Sequence, residues 1–294
     1  MSFSIFIAIS SLTFMTPILL ASVGEIITEK SGVVNIGIEG ILIASALAAA
    51  LTAIVTGSLT LSLATAVLTG ALIGFTHGAI AVYFRSDQII AGLAVNIIAY
   101  GATVVSLASI WGAHGASPRL EVYTPALNVL GYKVPFISLA SILIALIAWY
   151  ALKKLRVGLA LRACGEDPRA AEALGVNVNM ARILATTIGG ALAGLAGAFL
   201  AIEIVGQFTR GIAAGRGFIA LANVAFSGWN PLLAIVGAYA FGFLEALSVY
   251  VQQHALEYAY IAKTIPYLGT LAIVALAGWK ARMPRSLAKP YIKE

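Results

Sequence analysis

The sequence contains very little charge for its length. Only 10% of its 294 residues are Asp, Glu, Lys or Arg, whereas 61% are hydrophobic. A soluble domain is about 45–50% apolar and roughly 25% charged. Together with a mean hydropathy of +0.97, this composition excludes an ordinary soluble domain and indicates an integral membrane protein.

Cysteine is almost absent, and two functional motifs are missing altogether. The one cysteine, Cys164, cannot form an intrachain disulfide and lacks the cluster that a metal site needs, so no metal or other cofactor is expected. No Gly-Lys pair occurs, which excludes a G-x-x-x-x-G-K-[ST] phosphate-binding loop. The basic-then-apolar pattern of a signal peptide is missing too, because the first 24 residues carry no charge.

Long apolar runs are abundant. A helix needs about 20 largely apolar residues to cross the membrane, and the candidate spans are 4–24, 36–56, 61–83, 89–112, 135–152, 183–202, 232–250 and 262–279. The run 218–228 is too short to cross alone and is predicted to be a half-helix or a hairpin arm. Strand-period alternation is weak, so the expected fold is an all-α polytopic bundle of about 8–9 transmembrane helices, forming one domain over 1–294.

Charge placement predicts the orientation, because Lys and Arg accumulate on the cytoplasmic side. Lys30 follows an uncharged first span, so we expect the N-terminus outside and the C-terminus inside, with 280–294 as a basic cytoplasmic tail. Thirteen basic residues then lie inside: Lys30, Arg85, Lys153, Lys154, Arg156, Arg162, Arg169, Arg182, Lys280, Arg282, Arg285, Lys289 and Lys293. Five lie outside: Arg119, Lys133, Arg210, Arg216 and Lys263. The net charge of +6 is therefore a topology signal and requires no nucleic-acid partner.

The most informative inner loop is 156–182, RVGLALRACGEDPRAAEALGVNVNMAR. Asp167 suits an N-cap, Pro168 a first helical position and Gly175 a C-terminal stop, which predicts a short helix from Arg169 to Leu174. So short a helix is marginal alone in water. It is either a linker on the lipid surface or an element that docks into a groove on a cytoplasmic partner.

Five stretches follow one another along nearly the whole chain: GEIITEKSGVVNIGIEG (24–40), SDQIIAGLAVNIIAYG (86–101), LRACGEDPRAAEALGVNV (161–178), GRGFIALANVAFSGWNPLLAIVGAYAFG (215–242) and IPYLGTLAIVALAGWKARMPRSLAKPY (265–291). Together they resemble the permease subunits of ATP-binding-cassette importers for simple sugars and nucleosides. Three short motifs resemble the shorter permease of nucleoside uptake systems more than branched-chain amino-acid or ribose permeases: GFIALA, GWNP and the C-terminal PRSLAKPY.

This resemblance implies a non-catalytic transport subunit in the cell membrane, with ATP hydrolysis in a partner. It implies a second permease subunit, cytoplasmic ATPase subunits reached through a short coupling helix, and an extracytoplasmic substrate-binding protein. The segment 165–175 matches the coupling loop, which assigns ATPase coupling to Glu166, Asp167, Pro168, Arg169, Ala170, Ala171, Glu172, Leu174 and Gly175. Uptake as the direction of transport also follows from the resemblance.

Asn35 and Glu39 lie in SGVVNIGIEG, at the start of the second predicted span. An ionised carboxylate within a membrane costs about 2.5–3.5 kcal/mol. The four-residue spacing places both side chains on one helix face, and Gly32, Gly37 and Gly40 indicate close packing or a broken helix. Three interpretations of Glu39 stay open: a hydrated residue at the membrane interface, a substrate-pathway residue, and a structural pin for the broken helix.

Other polar groups in the predicted spans are also pathway candidates. Asn96 forms either a helix–helix hydrogen bond or a substrate contact. Asn223 lies in the short run 218–228, and half-helices expose polar groups to cavities. The substrate pathway is therefore assigned to Asn35, Glu39, Asn96, Asn223 and Phe226, a set that suits a nucleoside and a monosaccharide nearly equally.

Tightly spaced glycines are structural signals. Rows of small residues let helices approach closely, and such rows occur at Gly70, Gly74, Gly78, Gly190 and Gly194. They indicate tight packing, with the interface to a second permease as one place for it.

Two other functions compete with the importer permease. In a proton-coupled secondary transporter, Glu39, Glu245 or His77 would carry protons, but the docking loop at 165–175 would then have no role. An intramembrane enzyme would use His77 and Glu39 as an acid–base pair, and no nucleophile–base signature supports it. A branched-chain amino-acid permease also stays open, because Glu39 is available to bind an ammonium group.

Overall fold

The computed structural model describes residues 3–277 and 282–292 and confirms an all-α polytopic architecture. In these ranges seven helices are long and apolar enough to cross a membrane: α1 (Phe3–Lys30), α2 (Ile38–Thr56), α3 (Leu59–Tyr83), α4 (Gln88–Trp111), α5 (Phe136–Lys154), α8 (Val178–Phe199, continued by a π-helical turn, Leu200–Val205) and α10 (Pro231–His254). The remaining elements are shorter: β1 (Ala126–Val129), β2 (Tyr132–Pro135), α6 (Arg156–Glu166), α7 (Pro168–Ala173), α9 (Arg216–Phe226), a 3₁₀ turn (Leu256–Tyr258), α11 (Ala259–Ala262) and α12 (Ile265–Ala277).

Helix α1 forms the centre of the bundle. It packs against α8, α10, α9 and α5, and most of its residues from Met15 onward are buried. One hydrophobic core joins α2, α3 and α8, and a second joins α1, α5, α9 and α10. The bundle is therefore organised around α1 and α8.

The glycine rows pack α3 against α8 within this one chain. A methyl group at Gly70 would lie 2.2 Å from the carbonyl oxygen of Gly190, and one at Gly74 would lie 2.3 Å from that of Thr186. The suggested location of these glycine rows at an interface with a second subunit is thus wrong, because the row on α3 packs against the row on α8. Only glycine permits this backbone approach.

The half-helix prediction is confirmed by α9, whose 11 residues span about 16 Å at 1.5 Å per residue. It ends at a turn in which Gly228 and Trp229 both have positive φ, 60° and 57°. Asn230 then caps α10, accepting a hydrogen bond from Leu232 N at 3.1 Å, with Pro231 at the first helical position.

Several predicted boundaries differ from the structure. The first span is longer than 4–24, reaching Lys30, and the second begins at Ile38 rather than at 36. The inner loop contains α6, which was missed because the polar stretch 156–166 was taken to be part of a loop. The last span, predicted over 262–279, begins at Ile265 after a turn, and 278–279 lie outside the described residues, as do 280–281 and 293–294 of the tail.

Loops pair at both ends of the bundle. At one end Ser117 N donates to Phe208 O at 2.8 Å, and β1 and β2 form an antiparallel hairpin with Ala126 opposite Pro135. At the other end the C-terminal segment returns to the inner loop, where Ser286 N donates to Gly165 O at 2.8 Å. The two loop clusters therefore mark opposite faces of the bundle.

Candidate functional site

Residues 31–37, here called the α1–α2 segment, are not helical although they lie inside the bundle. Side chains of other helices bind their backbone. Val34 N donates to Gln88 Oε1 at 2.8 Å, and His77 Nε2 contacts Val34 O at 2.8 Å. Asn35 N donates to Glu25 Oε1 at 2.7 Å. Irregular backbone is tolerated in a membrane only where its polar groups find such partners.

Asn96 continues this pattern on α4. Its Nδ2 donates to Ile36 O at 3.0 Å, and its Oδ1 accepts from Gly40 N at 2.7 Å. Asn35 Oδ1 accepts from Gly37 N at 3.0 Å, and Asn35 is only 1% exposed. The structure therefore brings Asn35 and Asn96 together at the start of α2, where both side chains bind backbone.

Glu39 binds the first turn of α9. Its Oε1 accepts from Gly215 N and its Oε2 from Gly217 N, each at 2.7 Å. A methyl group at Gly217 would lie 2.6 Å from Glu39 N, so α2 and α9 meet backbone to backbone. A carboxylate at a helix N-terminus binds unpaired amides and favours the helix dipole. This geometry is the one expected if Glu39 fixes the start of α2 to the start of α9.

The predicted placement of Asn35 and Glu39 on one helix face is wrong. Asn35 precedes α2 and belongs to the α1–α2 segment, whereas Glu39 is the second residue of α2. The four-residue spacing was read as helical, but Asn35 turns its side chain back to cap Gly37 N.

Asn223 and Phe226 lie on α9, facing α1 and α10. Asn223 is fully buried, and its Nδ2 donates to Ser22 Oγ at 3.0 Å and Ala234 O at 3.1 Å. Its Oδ1 finds no donor among the described residues and lies against Gly237. The half-buried Phe226 packs against the same glycine.

A charged pair lies beside the Glu39 contact. Arg216, expected among the charges of the outer loops, is instead the first residue of α9, and its guanidinium lies 2.5 Å from Glu245 Oε1 of α10. The two side chains are 13% and 20% exposed. Arg216 therefore begins α9, and its charge is paired with a residue of α10.

Two buried acids in the last turn and a half of α1 were missed. Glu25 binds Asn35 N, and Glu29 Oε2 accepts from Trp229 Nε1 at 2.5 Å, which ties the α9–α10 turn to α1. The signal was present as GEIITEK, two acids four residues apart. It was overlooked because the first span was taken to end at Gly24.

The short helix predicted in the inner loop is present as α7, with boundaries Pro168–Ala173 instead of Arg169–Leu174. Asp167 Oδ1 accepts from Arg169 N at 3.1 Å and from Ala170 N at 3.0 Å. Gly175 has φ +85°, as a C-terminal stop requires. Leu174 is 84% exposed.

The C-terminal segment 282–292 packs against this region. The Tyr291 hydroxyl donates to the Glu172 carboxylate. The buried Arg182 donates from Nε to Ser31 O and from Nη1 to Lys289 O, each at 3.1 Å. Arg182 thereby joins the tail to the end of α1. Burial raises the pKa of the nearby Cys164 thiol, and the positive charge of Arg182 opposes this effect.

No group of three or more His, Cys, Asp or Glu side chains suited to a metal ion occurs in ranges 3–277 and 282–292. The broken helices, with half-helix termini meeting inside a helical bundle, define a membrane transport protein. No solved structure was found to match the chain.

Comparison with known proteins identifies the family. Residues 7–274 match the family described as branched-chain amino acid transport system, permease component. The chain is 35% identical to a guanosine ABC transporter permease of Bacillus subtilis, over 97% of this chain and 95% of the relative. It is 33% identical to a nucleoside ABC transporter permease of Lactococcus lactis, with 98% and 96% covered. It is 30% identical to a putative glucose ABC transporter permease of Haloferax volcanii, with 100% and 99% covered.

This chain therefore belongs to the branched-chain amino acid transport system permease family and is a multi-pass membrane permease subunit. The resemblance stated from the sequence is confirmed.

Proposed function

We propose that this permease carries nucleosides into the cell as the membrane subunit of an ATP-driven importer. The observation that carries the proposal is the match to a guanosine permease along 97% of this chain. The relative named for glucose makes a monosaccharide the second candidate.

The polar contacts favour a neutral solute over a branched-chain amino acid. An amino acid presents an ammonium and a carboxylate, and each needs an oppositely charged partner. Both oxygens of Glu39 are occupied by Gly215 N and Gly217 N, and Arg216 is paired with Glu245. The charged groups of Glu39, Arg216 and Glu245 are thus already bound within the protein.

We place the substrate pathway along the junction of α2 and α9. Asn35, Glu39 and Asn96 shape this junction by binding backbone, while Asn223 and Phe226 position α9 against α10. In transporters, discontinuous helices meet at the substrate site and change their packing during alternating access. The five residues then act chiefly by fixing the position of α2 and α9 relative to their neighbours.

A separate ATPase supplies the energy in this proposal, and it docks on α7 and its flanks. Exposed Arg169 and Leu174 would meet its groove, and the ordered cap at Asp167 supports a preformed docking helix. Arg182 and Tyr291 connect this surface to the end of α1. A displacement of α7 would thereby be transmitted to the α1–α2 segment.

The remaining partners follow from the same proposal. A second permease completes the pathway, and a substrate-binding protein delivers solute to the face that carries the 112–125 loop. The face with α7 and the C-terminal segment is then cytoplasmic, which places the N-terminus outside. The concentration of Lys and Arg at this end supports that orientation.

The test is uptake of labelled adenosine, ribose and leucine by proteoliposomes containing the complex purified on this chain, with its binding protein. We expect adenosine uptake that requires ATP on the α7 face. Uptake that ignores ATP and follows an imposed proton gradient would contradict the proposal and make Glu39, Glu245 and His77 the leading proton carriers. ATP-dependent uptake of leucine alone would overturn the substrate class.

A further inference from the structure

A cavity of about 280 Å³ opens between the first turn of α9, the second half of α10 and the start of α12. Its polar lining consists of Arg216, Glu245, Ser248, Gln252, Lys263 and Tyr267. This volume lies just below the range of about 300–1,000 Å³ that is typical of small-molecule sites, which favours a small solute such as a nucleoside or a monosaccharide. None of these six residues belongs to the predicted pathway set.

The cavity retains unused hydrogen-bonding capacity. Glu245 binds Arg216 through Oε1 only, as far as the described ranges show. Gln252 Nε2 donates to Ser248 O at 3.1 Å and to Ser248 Oγ at 3.0 Å. This fixes the amide, and its Oε1 receives no donor from the described part of the chain. Two acceptors are therefore held in place without a partner.

Tyr267 supplies an aromatic face on the opposite wall. Its hydroxyl donates to Ala214 O at 3.1 Å, which fixes the ring, and the residue is 50% exposed. Lys263 lies over the ring of Tyr260 at 5.6 Å and forms no ion pair within residues 3–277 and 282–292. A flat apolar surface and a cation thus border the same space as the two acceptors.

This combination matches one solute chemistry better than others. Adjacent hydroxyls of a ribose are donors for a carboxylate and an amide oxygen, and a base stacks on an aromatic ring. A branched aliphatic side chain would leave the polar acceptors unpaired.

We propose that this cavity is a binding site for the transported nucleoside, with Glu245 and Gln252 accepting from its ribose hydroxyls and Tyr267 stacking on its base. The inference rests on the proposed import of nucleosides and adds the residues that contact the solute. The Glu39 junction is adjacent to this site, because Arg216 lines the cavity and lies in sequence between Gly215 and Gly217, whose amides bind Glu39.

The test uses cysteine reporters in the complete transporter complex. Val249→Cys lies in the cavity and replaces none of the proposed contact residues, and Gln253→Cys is the control outside it. A membrane-impermeant maleimide is added from the face that carries the 112–125 loop, with adenosine, ribose or leucine present. The unmodified chain gives the background labelling, because its only cysteine, Cys164, is buried.

Adenosine at about four times its Kd should slow labelling of Val249→Cys about fivefold, because only the empty site reacts. Gln253→Cys should be unaffected, ribose should protect less at equal concentration, and leucine should not protect. An unchanged rate at Val249→Cys, or equal slowing at Val249→Cys and Gln253→Cys, overturns the site. Equal protection by ribose and adenosine overturns the stacking role of Tyr267.

Lys263→Cys on the facing wall is the second reporter, so the test does not depend on one variant assembling correctly. ATP-dependent adenosine uptake by the unmodified complex is measured in parallel. Uptake without protection would contradict the cavity and leave the importer intact. Protection without ATP-dependent uptake would contradict the importer and leave a nucleoside site.

Discussion

Two helices begin inside this bundle, and their first turns are capped by different chemistry. At the start of α2, free backbone amides bind the neutral side chains of Asn35 and Asn96. At the start of α9, they bind the carboxylate of Glu39, beside the Arg216–Glu245 pair. The first turn of α2 is thus capped by amide oxygens, and that of α9 by a carboxylate that lies beside an ion pair.

The difference follows from the cost of burying charge. A carboxylate among apolar helices requires hydrogen bonds and a nearby cation, and α9 offers both through its amides and Arg216. The start of α2 is enclosed by α1, α3 and α4, where an amide side chain meets the need without adding charge. The start of α2 is thus held by hydrogen bonds from the neighbouring helices. The start of α9 borders the cavity lined by Arg216 and Glu245.

Removing the charged cap should have the largest effect. Glu39→Leu leaves Gly215 N and Gly217 N unpaired, and hydrogen bonds to charged groups contribute about 1.5–3 kcal/mol each. We expect ATP-dependent uptake to fall at least about a hundredfold. Glu39→Gln keeps an acceptor and should be milder, by uptake and by thermal unfolding of the purified complex. Equal and complete loss in both variants would show that the carboxylate itself is required.

Removing a neutral cap should destabilise the protein without abolishing transport. Asn96→Leu leaves Ile36 O and Gly40 N without partners, at roughly 1–3 kcal/mol for each unpaired group. We expect a lower midpoint of thermal unfolding and reduced uptake. Asn128→Leu in the exposed hairpin is the matched control, and equal midpoints for the two variants would contradict this role of Asn96.

The α7 surface offers a smaller effect that separates coupling from folding. Leu174→Glu should reduce ATP-driven uptake and ATPase co-purification about tenfold, because a charge enters an apolar docking contact. The unfolding midpoint should not change, since Leu174 is exposed. Leu174→Met keeps the apolar volume and should behave as the unmodified protein, and Arg169→Glu should resemble Leu174→Glu. Unchanged transport and co-purification would refute docking at α7.

The smallest effect concerns Cys164, which lies beneath α7 and Tyr291. Because burial raises its pKa, the thiolate fraction at any given pH near neutrality is below that of an ordinary cysteine. Alkylation of the native protein should be slow and should increase with pH over a higher range than at exposed Gln253→Cys. Identical pH profiles at the two positions would show that the segment 282–292 does not cover the thiol.

Residue patterns predicted the elements whose signals are local. The Asp167 cap, Pro168 and Gly175 predicted α7, and the breaker run after 218–228 predicted the half-helix. The partner of Arg216 was not predicted, because it depends on contacts that are not local. The surroundings of Arg216 in sequence resemble a loop, and only the packing of α9 on α10 shows that it faces Glu245.

The sequence by itself determined the membrane class, the helical architecture and the family, because hydropathy, the spacing of apolar runs and short residue motifs can be read from the chain alone. Only the tertiary structure decided what Asn35, Glu39 and Asn96 bind, because their partners are backbone groups up to 178 residues away. Such partners carry no side-chain signature, and no pattern in the sequence marks them. The cavity beside Arg216 was hidden for the same reason, since it exists only where three helices meet.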